Sequence, residues 1–477
     1  MNTPPEKINL PYVFFLGTAA ALGGLLFGFD IAIITGAGPF LETHFRLGHL
    51  ALGWAFSSLL FGCVLGAAFT GWITDKFGRR TPLLWVALLF ALTSVATGGA
   101  TSFNFFILAR FLGGLAVGGV SVLAPMYVSE ISPAAIRGRM GALYQLAIVS
   151  GILISYCINY LLRDTGDWNW RWMFFTGVIP SAAFFLVVLD APETPRYLLR
   201  RARTTEAMTI LTRIHGIQCA QAECVQITAS VAEKRAAWSE LLRPGSRRAL
   251  SVSVVLAVLI HASGINTVID YSPRIFQSAG WKIDVALFST FIIGVINLIC
   301  TVGSFWVIDR YGRKPSYIIG SFGMTASLGC LMVAALVDHF TGAIVLGLIL
   351  VYLSFFASCI GPVFWTLLPE IFPNRIRGRA MALPVLTQWL ANAVVVLLFP
   401  WGFSWLGKVG TFGFLAAMSL LQGIFAWRFL PETKGRTLEE IEQYWGCQGI
   451  RTEQAGNKNE ADTADTRIGL GDKGRQS

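Results

Sequence analysis

Two charged side chains stand inside stretches that are otherwise apolar. Asp30 lies in the run from Tyr12 to Ala37, and Arg110 lies in the run that begins near Phe105. A charged side chain at the middle of a membrane span costs about 2.5–3.5 kcal/mol on insertion scales, so each needs a reason to be there. At about 1.5 Å per residue, Asp30 is roughly seven residues from one end of its run and Arg110 about five from the same end of its own. Both then sit about 8–10 Å deep, where opposite charges can neutralise each other. Arginine does not titrate, so the carboxyl is the member of the pair that can take a proton. The chemistry on offer is a proton switch, in which ionised Asp30 holds Arg110 and protonated Asp30 lets it go. The alternative is a permanent ion pair that staples two helices.

The first of these motifs recurs. Gly24-x5-Asp30 returns as Gly264-x5-Asp270 at an offset of 240. Asp270 offers a second protonatable group or a ligand for a hydroxyl; the competing reading is an i,i+4 pair with Arg274 across Pro273. Amide side chains, which both donate and accept, are scattered through the apolar runs with two tryptophans: Gln145, Asn266, Asn297, Trp365, Gln388, Trp389 and Asn392. Amides buried in a membrane are expensive unless satisfied, so a set of them points to a wet cavity for a small polyhydroxylated ligand. One alone would more often join helices. His261 can also donate and accept, and titrates near neutral pH, or it is a packing residue.

The elements that position these groups follow from composition. Of 477 residues, 54% are apolar and only 13% are charged, against about 25% in an ordinary soluble domain, and the mean hydropathy is +0.61. Runs long enough to cross the bilayer begin near Tyr12, Leu50, Pro82, Phe105, Met140 and Trp172, and again near Ala249, Val285, Ser316, Ala343, Ala380 and Phe412. The expected fold is an all-α membrane protein with twelve transmembrane helices. Basic residues collect in alternate loops (Lys76, Arg79, Arg80; Arg137, Arg139; Arg310, Arg313, Lys314; Arg375, Arg377, Arg379), which places both termini in the cytoplasm. This topological use of the +10 net charge removes the case for a nucleic-acid partner. The polar N-terminus leads straight into a long span, which reads as retained rather than as a cleaved signal.

The stretch from Arg196 to Arg248 holds ten basic and four acidic residues and reads as helices on the cytoplasmic surface. The tail beyond Gln448 reads as disordered. Residues 1–195 and 249–431 are then two six-helix units, with 196–248 a linker and 432–477 a tail. Their kinship shows in further repeats. Asp75 to Arg80 returns as Asp309 to Lys314, Glu130 with Arg137 as Glu370 with Arg377, and Pro192-Glu193-Thr194 as Pro431-Glu432-Thr433, at offsets of 234, 240 and 239. Two parallel repeats of six helices are the architecture of an alternating-access transporter with its site between the halves. The eight cysteines show neither metal spacing nor a disulfide framework and read as packing residues. No zinc-protease, nucleophile-elbow or Walker A pattern is present, so neither an enzyme in the membrane nor direct ATP drive is indicated. The absence of any Asn-x-Ser/Thr acceptor favours a bacterial inner membrane.

The motifs Gly24-Leu-Leu-Phe-Gly-Phe-Asp30, Asp75 to Arg80, Pro125 to Glu130, Arg137-Gly-Arg139, Pro192 to Arg196 and Pro431 to Arg436 occur in order over roughly Phe14 to Arg436. In combination they resemble the sugar porters of the major facilitator superfamily. The resemblance implies transport of a monosaccharide or related polyol by two pseudo-symmetric six-helix halves, with a proton, without cofactor, by a chain that suffices as a monomer. A passive facilitator or a non-transporting sugar sensor are the alternatives. It implies sugar-binding roles for Gln145, His261, Asn266, Asn297, Gly361, Trp365, Gln388, Trp389 and Asn392, and proton coupling by Asp30 with Arg110. It also implies a cytoplasmic gate of Asp75, Arg79, Glu130, Arg137, Asp309, Arg313, Glu370 and Arg377, able to pair across the halves. The chain departs from the pattern twice. Ile260 and His261 replace two adjacent glutamines, and Asp270 replaces a tyrosine.

Overall fold

The computed structural model describes residues 9–133, 136–232, 240–241, 243–372, 376–436 and 438–445. The tail proposed as disordered lies outside the described residues. Among the described residues, eleven helical runs are long and apolar enough to span a bilayer, and the last divides at Gly407 (φ 65°, ψ −176°), which gives the twelve expected spans. They are α1 (Leu10–Phe45), α2 (His49–Phe77), α3 (Arg80–Gly98), α4 (Phe103–Ile131), α5 (Arg137–Leu162), α6 (Gly166–Asp190), α7 (Gly245–Asp270), α8 (Ile283–Tyr311), α9 (Arg313–Leu336), α10 (Gly342–Ile371), α11 (377–406) and α12 (408–429). Shorter helices, Pro195–Arg200, Thr204–His215 and Ile217–Ala232, follow α6.

Each helix starts one to six residues before its apolar run, because polar end residues continue the helix where the bilayer no longer demands apolar ones. The largest difference is at the other end of α1. It runs on to Phe45, so Asp30 is fifteen residues from the helix end rather than about seven. The polar residues Glu42 and His44 stay helical because they have partners: Glu42 meets Arg274 at 3.2 Å, and His44 packs on Trp170 at 5.4 Å.

Within the first half α1 packs on α5 and α2 on α4; within the second α7 packs on α11 and α8 on α10. With no hydrophobic force between helices in lipid, small residues set these approaches. At Gly28, a Cβ would stand 1.9 Å from the Ile148 carbonyl oxygen of α5, so the two backbones are in direct contact there. The halves meet through α2 with α11 and α5 with α8.

The start of α1 and the end of α12 share one end of the bundle, called here the near end; the opposite end is the far end. At the far end the halves are locked together. Tyr271, which follows α7, stacks on Phe56 of α2 at 4.3 Å and on Phe399 of α11 at 5.1 Å, and its hydroxyl donates to the Val396 carbonyl at 3.1 Å. Arg274 pairs with Glu42, and Arg163 pairs with Asp284 at 3.1 Å.

Two spans are irregular where the sequence placed binding residues. Gly264 (φ +84°) breaks α7 three residues past His261, in a left-handed conformation that disfavours any side chain. The Tyr352 hydroxyl donates to the freed Ser263 carbonyl at 3.0 Å. In α10 a π-helical turn, Phe356–Ile360, precedes Gly361. Broken or bulged helices inside a membrane are tolerated where they line a cavity, and π turns recur at functional sites.

Candidate functional site: a buried ion pair and an unpartnered polar cluster

Arg110 of α4 and Asp30 of α1 meet. The Arg110 Nη1 donates to Asp30 Oδ1 at 2.7 Å, and both Nη atoms donate to the Asp30 carbonyl oxygen at 3.2 Å. The side chains are 2% and 14% exposed, so little water competes for the contact. The guanidinium also lies 5.4 Å from the Phe174 ring centroid. Two of its three hydrogen bonds are therefore to backbone. Taking the charge off Asp30 would weaken Arg110's hold without freeing it entirely. A further side chain that the sequence did not single out reaches α1 nearby: Asn159 of α5 donates to the Ile33 carbonyl at 3.3 Å. The only signal it gave was an amide inside an apolar run.

Several buried polar atoms of α5, α7 and α11 have no protein partner among the described residues. They include the Tyr144 hydroxyl, both ring nitrogens of His261, Gln388 Oε1, Trp389 Nε1 and Asn392 Nδ2. His261, Trp389 and Asn392 are themselves buried. Each such group costs about 1–3 kcal/mol if nothing meets it, so a polar ligand or water that met them would be favoured there. Phe27 of α1 stands edge-on to Trp389 at 5.8 Å, which brings the first half to the same place. Gln145, Asn266 and Asn297 are half-buried and form no side-chain hydrogen bond among the described residues. Trp365 is 41% exposed and touches Phe364, and Gly361 is half-buried beside the Phe356 ring. These groups offer donors, acceptors and aromatic faces, the set that a ring of hydroxyls requires.

Asp270 is buried on α7, and the structure does not pair it with Arg274. That arginine turns instead to Glu42 of the other half, because α1 reaches far enough to present it.

The near-end charges form two matching networks. In the first, Arg79 Nη2 meets Glu130 Oε1 at 2.7 Å, the Thr194 hydroxyl donates to Glu130 at 2.7 Å, and the Arg79 and Arg80 amides donate to Glu193 at 2.9–3.2 Å. In the second, Arg313 Nη2 meets Glu370 Oε1 at 2.9 Å, Thr433 donates to Glu370, and the Arg313 and Lys314 amides donate to Glu432 at 3.1 and 3.0 Å. These contacts lie within each half, not across the halves as the sequence reading allowed, in a conformation whose far end is shut. Burial pushes the Glu193 carboxyl above the ordinary glutamate range, against the pull of the Thr194, Arg79 and Arg80 amides. Gly78 (φ +84°) lets the chain turn onto Glu193. Glu193 and Glu432 were visible only as the repeated Pro-Glu-Thr and carried no assigned role. Asp75 meets Arg200 at 2.9 Å, and Arg377 donates to the Phe372 carbonyl at 3.3 Å. The side chains of Arg137 and Asp309 lie outside the described residues.

The family described as "Sugar (and other) transporter" matches residues 16–445. The chain is 38% identical over 492 residues to the D-xylose-proton symporter of Escherichia coli (strain K12), covering 95% of this chain and 99% of that one. It is 38% identical over 464 residues to the glucose facilitated diffusion protein of Zymomonas mobilis subsp. mobilis, covering 91% and 97%. Among solved structures, the inward open conformation of the xylose transporter XylE from E. coli superposes with a TM-score of 0.81 at 35% identity, covering 91% of this chain and 100% of that one. The repeated half-motifs, the twelve spans and these likenesses agree, and the chain belongs to the sugar (and other) transporter family, the sugar porters of the major facilitator superfamily.

Proposed function

We propose that this multi-pass protein carries a monosaccharide or related polyol across the cell membrane by alternating access, in symport with a proton. The observation that carries the reading is the buried Asp30–Arg110 pair at 2.7 Å, a titratable group held by one that cannot titrate. Its likeness to a D-xylose-proton symporter supports the same coupling and makes pentoses the first substrates to try. Asp30 takes the proton and Arg110 responds, with Asp270 as a second protonatable group. Gln145, His261, Asn266, Asn297, Gly361, Trp365, Gln388, Trp389 and Asn392 hold the sugar between the halves, 1–195 and 249–431.

The near end, with its basic loops, faces the cytoplasm of a bacterial inner membrane, and the far end faces outward. The two near-end networks, with Asp75, Arg137, Asp309 and Arg377, form the cytoplasmic gate and come together across the halves when the far end opens. One chain holds both halves of the site, so a monomer in the lipid bilayer suffices, and no cofactor is called for.

A passive facilitator, with Asp30–Arg110 as a fixed staple, is the second reading. It is favoured by the equal identity to a glucose facilitated diffusion protein. Uptake into proteoliposomes of labelled pentoses, hexoses and polyols, each with and without an inward proton gradient, separates the two. Accumulation above the outside concentration supports symport; equilibration indifferent to the gradient supports the facilitator; no uptake of any compound removes the sugar assignment.

A further inference from the structure

Asp270 sits where the internal repeat echoes Asp30, but it lacks what Asp30 has. The position that echoes Arg110 at the same offset of 240 is Leu350, so the second half supplies no matching cation. The Asp270 carboxyl makes no ion pair and no side-chain hydrogen bond among the described residues, and the residue is 6% exposed. It lines a small cavity with Thr35, Pro39 and Glu42 of α1 and Phe56 of α2, all from the other half.

The charged and titratable groups that face this place are accounted for. From α4, Arg110 acts on Asp270 electrostatically but is hydrogen-bonded to Asp30 of α1. Beyond α7, Arg274 is paired with Glu42 of α1 and lies 3.5 Å from His49 of α2. Tyr156 of α5 and Tyr271 are near enough to interact with the carboxyl.

An unpaired carboxylate taken out of water costs several kcal/mol, while the neutral acid costs only what a hydroxyl does. The walls around Asp270 belong to both halves, so parting them at the far end returns the group to water, where the ionised form is stable. We propose that Asp270 must take up a proton from the far compartment before the far gate can close, so that closure itself depends on the pH of that compartment, independently of the proton at Asp30. This rests on the alternating-access reading above, and on α1, α2 and α7 moving apart when the far end opens.

The test reads gate position without any sugar. In a background with the native cysteines replaced by serine, Thr35→Cys is a probe that is buried while the far end is shut. Its labelling by an impermeant maleimide in proteoliposomes is compared with and without Asp270→Asn from about pH 5.5 to about pH 8.5, a range over which one titrating carboxyl can change an equilibrium by up to about tenfold per unit. The ratio of the two rates cancels the intrinsic pH dependence of the thiol, and an ionised Asp270 beside it can only lower the ratio as pH rises, so it cannot mimic the expected rise. The account expects the ratio (carboxyl-bearing protein over Asp270→Asn) to rise severalfold or more with pH, and expects Asp270→Glu to keep the rise. A ratio constant across the range overturns it. So does a pH response that survives Asp270→Asn but disappears in His49→Gln. If Asp270→Asn does not fold, Asp270→Ser takes its place under the same criteria. A raised sugar KM with a constant ratio would make Asp270 a sugar ligand instead, which also overturns the latch. Failure of every sugar to be transported would remove the proposed function while leaving this readout intact.

Discussion

Gly53 of α2 faces the backbone of the other half directly at the far end. A Cβ on it would stand 2.1 Å from the Leu397 carbonyl oxygen of α11 and 3.0 Å from the carbonyl carbon. The obstacle is backbone, so no side chain can turn aside. The helices must separate by on the order of 1 Å to reach an ordinary contact, and overpacking of this kind costs about 1–3 kcal/mol. That cost falls on the far-closed state alone, because opening parts α2 from α11. Gly53→Ala should therefore shift the gate equilibrium towards the far-open state by about 5- to 150-fold. Labelling of the Thr35→Cys probe should rise by up to that factor at fixed pH; the melting temperature falls as well, by no more than the cost to the closed state, so labelling is the readout that discriminates. Gly62→Ala is the control. Its Cβ would stand 2.1 Å from the Phe111 carbonyl of α4, within one half, so it should lower the melting temperature without raising labelling. Unchanged labelling in Gly53→Ala together with a large drop in melting temperature would refute the argument, since the α2–α11 contact would then belong to every state.

Two further outcomes follow from the sites. Asn392→Ala removes a buried amide whose Nδ2 has no protein partner. The sugar KM should rise about 2- to 10-fold for the loss of one or two hydrogen bonds, with little change in melting temperature; a fall in melting temperature at unchanged KM would make Asn392 helix glue. Glu193 binds its proton more tightly in the folded chain than in the unfolded one. Its contribution to stability therefore falls as pH rises through and just above the ordinary glutamate range, and Glu193→Gln should flatten melting temperature against pH in that window. A steeper slope in the variant would contradict this.

The membrane fold was legible because the bilayer leaves few choices: long apolar runs, alternate basic loops and a repeat at offsets of 234–240 led to twelve helices in two halves. The Asp30–Arg110 contact was legible because two opposite charges in lipid have few partners, although the count from the helix end was off where α1 continues through Glu42 and His44. What the sequence could not give was partner choice at the halves' boundary. The spacing of Asp270 and Arg274 suggested a local pair, and only the reach of α1 decides that Arg274 goes to Glu42. The near-end charges posed the same difficulty. Their types and positions were plain, but whether they pair within or across halves depends on which end is shut. Glu193 and Glu432 show the opposite case, a repeated acid whose role appears only when the turn at Gly78 or Gly312 brings backbone amides to it.

The central claim is that Asp30 carries the proton that drives accumulation, and Asp30→Asn tests it most directly. The amide keeps an oxygen for Arg110 but cannot ionise. Purified wild type and variant are reconstituted, and two quantities are read for the same sugar: accumulation driven by an inward proton gradient, and exchange at equal pH on both sides. The account predicts that the variant loses accumulation and retains exchange. Accumulation that survives in Asp30→Asn would contradict it and leave the Asp30–Arg110 pair a staple between α1 and α4.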